Sequence, residues 1–366
     1  MKKFNIELKD RTIPVLLGEG IFGTIASEIE KRKLKGNILL ITDSNVHRLY
    51  KNKVEKAFAG FNGKFNILVL KPGENTKSQE NLNKIYSFLL AKKYSRDTLI
   101  VAMGGGVIGD IAGYAAATFM RGVKYVQVPT TLLAVCDSAI GGKTGINFSN
   151  IKNIIGAFYQ PEFVLADTAF IKTLPYKEVL CGTGEILKYA YLSDIAFYNF
   201  IQENTTKLLG KDPETVEKAA SKSVKIKTRV VSEDEKEGGR RKILNLGHTF
   251  AHAYESVLDY KIRHGEAVIA GLACALILSR HLGYLSGDKF LKLSEMLKDF
   301  HPDIKFQRLD LKLLYNAMLS DKKNKNGMIR FVLLKGVGDI LTDVEAEKKD
   351  VILTLKEAGE FFSSQG

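Results

Sequence analysis

Short β-branched apolar runs punctuate the first half of the chain: NILLITD (37–43), FNILVL (65–70), TLIVAMGGG (98–106) and KYVQVPTT (124–131), the last closed by Pro129. A helical pattern, SQENLNKIYSFLLAKKY (78–94), separates two of them. Alternation of this kind predicts βαβ units around a parallel sheet. After about residue 168 the texture changes: glycine thins out and strand-like runs almost vanish. Long helical patterns take over in PETVEKAASKSVKIKTRVVSEDEK, NLGHTFAHAYESVL and GEAVIAGLACALILSRHL. The pattern predicts a nucleotide-binding-type α/β domain over 1–168 and a mostly α-helical domain over 169–366, with the boundary near 165–175. One late strand-pair signal remains, MIRFVLLKGVGDI (328–340).

Composition sharpens this picture in a few places. A chain of 366 residues matches two domains at about 150 residues each, and needs neither disulfide nor metal merely to fold. The excess of 54 Lys+Arg over 41 Asp+Glu favours acidic partners. That charge is spread along the chain without a basic block interleaved with aromatics, which speaks against nucleic acid as the partner. Three distant cysteines, Cys136, Cys181 and Cys274, make neither a disulfide framework nor a thiolate zinc site and suit a reducing, cytoplasmic setting. The opening MKKFNIELKDRTIPV lacks the apolar core of a signal peptide, and no uncharged apolar run reaches the roughly 18 residues of a membrane span, so no membrane partner is expected.

Candidate chemistry begins at GGGVIGD (104–110), where Gly104, Gly106 and Gly109 satisfy G-x-G-x-x-G between a strand ending at Met103 and a helix, IAGYAAATF. Residues without side chains let the backbone approach a pyrophosphate, and a helix N-terminus supplies unpaired N–H donors. The usual acidic residue about 20 positions later is missing, but Asp43 ends an earlier strand and could hold a ribose hydroxyl. The bland alternative is a tight glycine turn packing helix on sheet. GGKTG (141–145) is no P-loop, because Asp137 stands where the first glycine belongs.

Three of the six histidines fall within seventeen residues: His248, His252 and His264. His248 and His252 have the four-residue spacing of zinc proteases, yet Thr249 replaces their general-base Glu, which removes peptide hydrolysis. A third ligand could be His264 or an acid in an apolar helix, best Glu185 in GTGEILKYA, with Lys188 facing the same way. Two imidazoles and a carboxylate with one open position form a catalytic zinc arrangement. Arg121, Lys143, Lys152, Lys227 and Arg241 lie beside these motifs and would neutralise a multiply charged substrate.

Taken together, PGENTK (72–77), GGGVIGDIAGYAAATFMRG (104–122), VPTTLLAVCDSAIGGKTGIN (128–147), KNIIGAFYQP (152–161), GEILKYA (184–190), NLGHTFAHAYE (245–255), HGEAVIAGL (264–272) and DKKNKNG (321–327) resemble the 3-dehydroquinate synthase family. The resemblance implies a Rossmann-like NAD-binding α/β domain, a helical C-terminal domain, a divalent metal (Zn2+ or Co2+) and a homodimer. It implies Glu185, His248 and His264 as metal ligands, leaving His252 outside the set. NAD would meet Asp43, Asn45, Glu74, Lys77, Gly105, Gly106, Val107, Asp110, Thr130, Thr131, Lys152 and Thr173. Substrate would meet Asp137, Lys143, Asn153, Lys188, Lys227, Arg241, Asn245 and His252, together with Lys322 or Lys323. Arg121 would reach a neighbouring subunit's site, and Glu237 would serve as an acid/base carboxylate.

The implied substrate is 3-deoxy-D-arabino-heptulosonate 7-phosphate, a small anionic sugar phosphate. Oxidation at C5 acidifies the C6 proton, phosphate leaves by β-elimination, the hydride returns, and ring opening and aldol closure give 3-dehydroquinate. Two rivals share the fold: cyclases making 2-deoxy-scyllo-inosose or 2-epi-5-epi-valiolone, whose substrates lack the carboxylate, and a metal-dependent polyol dehydrogenase, which releases NADH. A basic nucleic-acid-binding protein is a third, and steep salt dependence of duplex binding would mark it.

Overall fold

The structure, a computed structural model, describes residues 1–149, 151–320 and 328–363. In chain order the elements are β1 (Lys2–Glu7), β2 (Thr12–Gly18), α1 (Ile25–Lys31), β3 (Ile38–Asp43), α2 (Ser44–Phe58), β4 (Phe65–Leu70), α3 (Gln79–Ala91), β5 (Leu99–Gly104), α4 (Gly106–Thr118), β6 (Lys124–Pro129), β7 (Lys143–Phe148), β8 (Ile151–Phe158) and β9 (Val164–Asp167). There follow α5 (Tyr176–Leu192), α6 (Ile195–Leu209), α7 (Pro213–Glu233), α8 (His248–Val257), α9 (His264–His281), α10 (Gly287–Ser294), α11 (Leu311–Leu319), β10 (Phe331–Gly336), β11 (Asp339–Val344) and α12 (Lys348–Ser363). The four apolar runs of the first half are β3 to β6, and the late strand signal is the antiparallel pair β10–β11.

Two compact units result, Met1–Val179 with Pro213–Lys236, and Leu180–Asp212 with Glu237–Gly366. Compactness therefore divides the chain at 179/180 rather than 168/169, and counts α7 with the sheet although its texture groups it with the helical half. The reason lies in α7's partners: Lys2 pairs with Glu217 at 3.1 Å, and the Glu7 N–H donates to Ser232 Oγ at 2.8 Å.

The first unit is built on a seven-stranded sheet of order β1-β2-β9-β6-β5-β3-β4, parallel except for the β1–β2 pairing. Every residue of β3 and β5 is buried, as helices on both faces of a parallel sheet require. Val101, Met103 and Val126 fill one face, Ile100, Ala102 and Tyr125 the other. From β3 the chain steps outward to β4, whereas from β5 it steps the opposite way to β6, so β3 and β5 flank a topological switch point. Open α/β sheets bind ligands there, at the carboxyl ends of the strands. Asp43 ends β3 and Gly104 ends β5. A separate two-stranded hairpin, β7–β8, carries the GGKTG segment into its first strand.

The second unit is mainly helical. α9 is its central rod, with thirteen consecutive apolar or small residues from Ala267 onward interrupted by nothing charged before Arg280, and it is buried from Gly265 to Ser279. None of the helices among the described residues is long and apolar enough to cross a membrane.

Candidate functional site

In the second unit, three elements bring one side chain each to a common point: Glu185 from the middle of α5, and His248 and His264 as the first residues of α8 and α9. Their ligand atoms lie within 4.8 Å of one another. Glu185 is fully buried, and its Oε1 lies 3.3 Å from His248 Nε2 and 3.2 Å from His264 Nε2. Burial acts to raise the Glu185 carboxyl, but the Lys188 ammonium together with His248 and His264 outweighs it and holds the group well below the ordinary carboxylate range. Burial, with the same ammonium, pushes His248 down to about 4. Its Nδ1 sits 3.1 Å from the Leu246 carbonyl, which can only accept, so a neutral His248 turns its Nε2 lone pair toward Glu185. Burial works against a charged His264 too, yet Glu255 and Glu185 on either side raise it to about 10.

The backbone explains why these atoms converge. Each candidate ligand adjoins a glycine at which two helices nearly touch. A Cβ on Gly184 would lie 2.3 Å from the Gly265 carbonyl oxygen, and one on Gly265 would lie 1.9 Å from that of Cys181. Gly247, in the left-handed region at φ 76°, would place a Cβ 2.9 Å from the Gly271 carbonyl carbon. Glu185 follows the first of these glycines, His264 precedes the second and His248 follows the third. Nitrogen and oxygen donors converging from helix positions in this way are the set a zinc-like dication takes. The residues present fit that ion.

The remaining expected residues of this unit cluster in part. Lys188, 1% exposed, pairs with Glu185 Oε2. Asn245 Nδ2 donates to Glu237 Oε1 at 2.7 Å, while Glu237 itself sits in the left-handed region at φ 61°. Arg241 is 2% exposed in the short helix Arg240–Asn245. The His252 ring stands 5.6 Å from that of His248, perpendicular to it, and lies outside the converging set.

In the first unit, α4 starts straight after β5, and its N-cap residue, Gly105, supplies no side-chain cap. A Cβ on Gly106 would lie 2.9 Å from Ser138 Oγ, and one on Gly105 would lie 3.0 Å from Thr131 Cγ2. The Ser138 and Thr130 hydroxyls are buried without a hydrogen-bond partner among the described residues. A side-chain-free turn, a helix N-terminus and unspent hydroxyls fit a dinucleotide's phosphates. Val107 and Asp110 follow within the first turn and a half of α4. Asp43, beside this turn at the switch point, accepts from the N–H groups of Asn45 and Val46 and so caps α2. Lys77, 4% exposed, donates to Asp110 Oδ2 at 2.7 Å and to Asn153 Oδ1, and lies 3.6 Å from Glu74 Oε1. Burial pushes the Asp110 carboxyl up although Lys77 pulls it down; for Lys77, Asp110 and Glu74 outweigh burial and raise it. Lys227 Nζ reaches both the carbonyl and Oδ2 of Asp137 at 2.8 Å. Thr173 Oγ1 is 2.5 Å from the Tyr50 hydroxyl. Lys152 is half-buried on β8, whereas Asn45, Lys143 and Arg121 are exposed, Arg121 in the left-handed region at φ 66°. Lys322 and Lys323 lie outside the described residues.

Known proteins match this chain over nearly its whole length. The family models described as 3-dehydroquinate synthase N-terminal and C-terminal match residues 67–181 and 182–324. The 3-dehydroquinate synthase of Acetivibrio thermocellus is 39% identical over 361 residues, 98% of this chain and 100% of that protein. The chain belongs to the 3-dehydroquinate synthase family. Among solved structures, a 2-deoxy-scyllo-inosose synthase complexed with carbaglucose-6-phosphate, NAD+ and Co2+ superposes with a TM-score of 0.88 at 26% identity, covering 97% of this chain and 100% of that one. The 2-epi-5-epi-valiolone synthase of Streptomyces hygroscopicus subsp. jinggangensis, with NAD+ and Zn2+ bound, superposes at 0.85 and 25% identity, covering 96% and 98%.

Family motifs named two groups whose contacts they did not reveal. Asn147, last residue of the VPTT…GIN stretch, donates to Glu74 Oε1 at 2.9 Å and accepts from the Asn153 N–H at 2.9 Å, tying the Lys77 cluster to the hairpin. Glu255 ends NLGHTFAHAYE with its Oε2 3.5 Å from His264 Nδ1. The signal for Glu255 was present in the pattern, since His248, His252 and Glu255 share one helical face at spacings of four and three.

Proposed function

We propose that this chain catalyses the 3-dehydroquinate synthase reaction, converting 3-deoxy-D-arabino-heptulosonate 7-phosphate to 3-dehydroquinate and phosphate. The observation that carries the reading is a convergent Glu185–His248–His264 set, buried at Glu185 and His248 and half-buried at His264, in a chain 39% identical to a named 3-dehydroquinate synthase over nearly its whole length. When bound, NAD supplies a reversible hydride acceptor and the metal ion a Lewis acid for the substrate's hydroxyls. In this reading Glu185, His248 and His264 hold the ion, and Lys188 keeps Glu185 ionised. The turn at 104–106 and the start of α4 hold the pyrophosphate of NAD. Asn245 orients Glu237 for proton transfer, while Lys188, Asn245 and His252 meet the substrate's polar groups. Lys227, oriented by Asp137, and the buried Arg241 supply cationic recognition of its carboxylate and phosphate. The rival cyclases, whose substrates lack the carboxylate, stand further off, at 26% and 25% identity.

The same reading makes the chain a cytoplasmic homodimer. All three cysteines are buried, and none forms a disulfide among the described residues, which suits a reducing compartment. Phe148, Ile151, Ile154 and Phe158 are exposed along the β7–β8 hairpin, an apolar surface of the kind that subunit contacts cover. Incubating the protein with the heptulosonate phosphate, NAD+ and Zn2+ tests the activity: dehydroquinate should form with equimolar phosphate and no net rise in NADH absorbance. Stoichiometric NADH instead would favour a polyol dehydrogenase.

A further inference from the structure

We propose that Glu255 is a positioning residue for the metal centre: it fixes His264 with Nδ1 protonated and Nε2 turned inward, and thereby sets how tightly the ion is held. The inference rests on Glu185, His248 and His264 being the ligands. Glu255 lies on α8 two turns after His248, on the same face, and is 4% exposed. Its Oε2 lies 3.5 Å from His264 Nδ1, while His264 Nε2 lies 3.2 Å from Glu185 Oε1. A carboxylate only accepts, so the contact demands a hydrogen on Nδ1 and assigns the other ring nitrogen to the centre.

The two histidines are held differently. His248 uses the Leu246 main-chain carbonyl for the same purpose, and its side chain is 11% exposed. The His264 side chain is 31% exposed and stands at the first position of its helix, where only one side of the backbone is helical. Packing therefore restrains this ring least, and the outer hydrogen bond restrains it most. A carboxylate in that place also makes the imidazole a stronger donor. Lys188 offsets the charge that Glu185 brings, and Glu255 adds negative charge back on the far side of His264, where it favours a dication.

Full-length Glu255→Gln and Glu255→Ala, stripped of metal, test this by competition for Zn2+ against a chelating dye. Loss of an outer partner of this kind weakens metal binding by about 10–100-fold; Glu255→Ala should fall in that range, and Glu255→Gln, which keeps an acceptor oxygen but no charge, should fall between it and the parent. The visible absorption of the Co2+-loaded Gln variant should shift while the melting temperature of its metal-free form stays at the parent value, a combination that a merely structural glutamate would not produce. Parent-like zinc affinity in the folded Gln variant overturns the inference, even if the Ala variant does not fold. His264→Ala separates the two levels of the argument. If it binds zinc as tightly as the parent, the ligand reading fails and the inference with it; if it loses zinc while both Glu255 variants keep it, only the inference fails.

Discussion

A carboxylate with no access to water stays ionised at Glu185 because Lys188, one turn further along the same helix and itself 1% exposed, acts together with His248 and His264 against burial. Removing one partner of a buried pair leaves the other charge uncompensated, at about 3–5 kcal/mol. Lys188→Met should lower the urea midpoint of the metal-free protein accordingly, and added Zn2+ should recover much of the loss by giving Glu185 another cation. A midpoint unchanged without metal would contradict this electrostatic account. The Glu185–Lys188 relation was legible in the sequence, since both fall on one helical face of an apolar segment. So was the clustering of histidines. Which two of the three converge with Glu185 was not legible from spacing, because His264 opens a different helix and its approach depends on long-range packing. The Lys77–Asp110–Asn153 cluster was hidden for the same reason: its members come from three separate elements.

At the level of elements, the glycines beside the candidate ligands act as spacers that let helices meet backbone to backbone. Gly265→Ala would force a Cβ to within 1.9 Å of the Cys181 carbonyl oxygen, where neither helix has a flexible side chain to yield. The expected outcome is a lower melting temperature together with loss of bound zinc, as α5 and α9 separate and carry Glu185 away from His264. Metal analysis of the purified variant checks this; full zinc occupancy would show that the crossing does not set the site. Strands β3 to β6 could be read from their unbroken apolar runs, the mark of a sheet covered on both faces. The hairpin β7–β8 could not, because glycines interrupt it and its apolar residues face outward as well as inward. Strand β9 is only four residues long, too short to stand out from the loop around it.

On the scale of the whole molecule, hydropathy gave the order of the two architectures but not their membership. A helical pattern reports an apolar face without saying which partner it will cover, and α7 covers the edge of the sheet unit. The net charge of +13 narrows the partner to something anionic without choosing among phosphates and carboxylates. The homodimer can be checked by sedimentation equilibrium, where the parent should weigh twice the chain mass and Ile154→Asp should shift it toward one chain; a parent that sediments as a monomer would contradict it. The central claim is that catalysis depends on a dication held by Glu185, His248 and His264. Its most direct measurement is dehydroquinate formation by the metal-stripped protein before and after Zn2+ is restored. The account predicts no turnover without metal, recovery on adding Zn2+ or Co2+, and no recovery in His264→Ala; undiminished turnover after verified removal of the metal would contradict it.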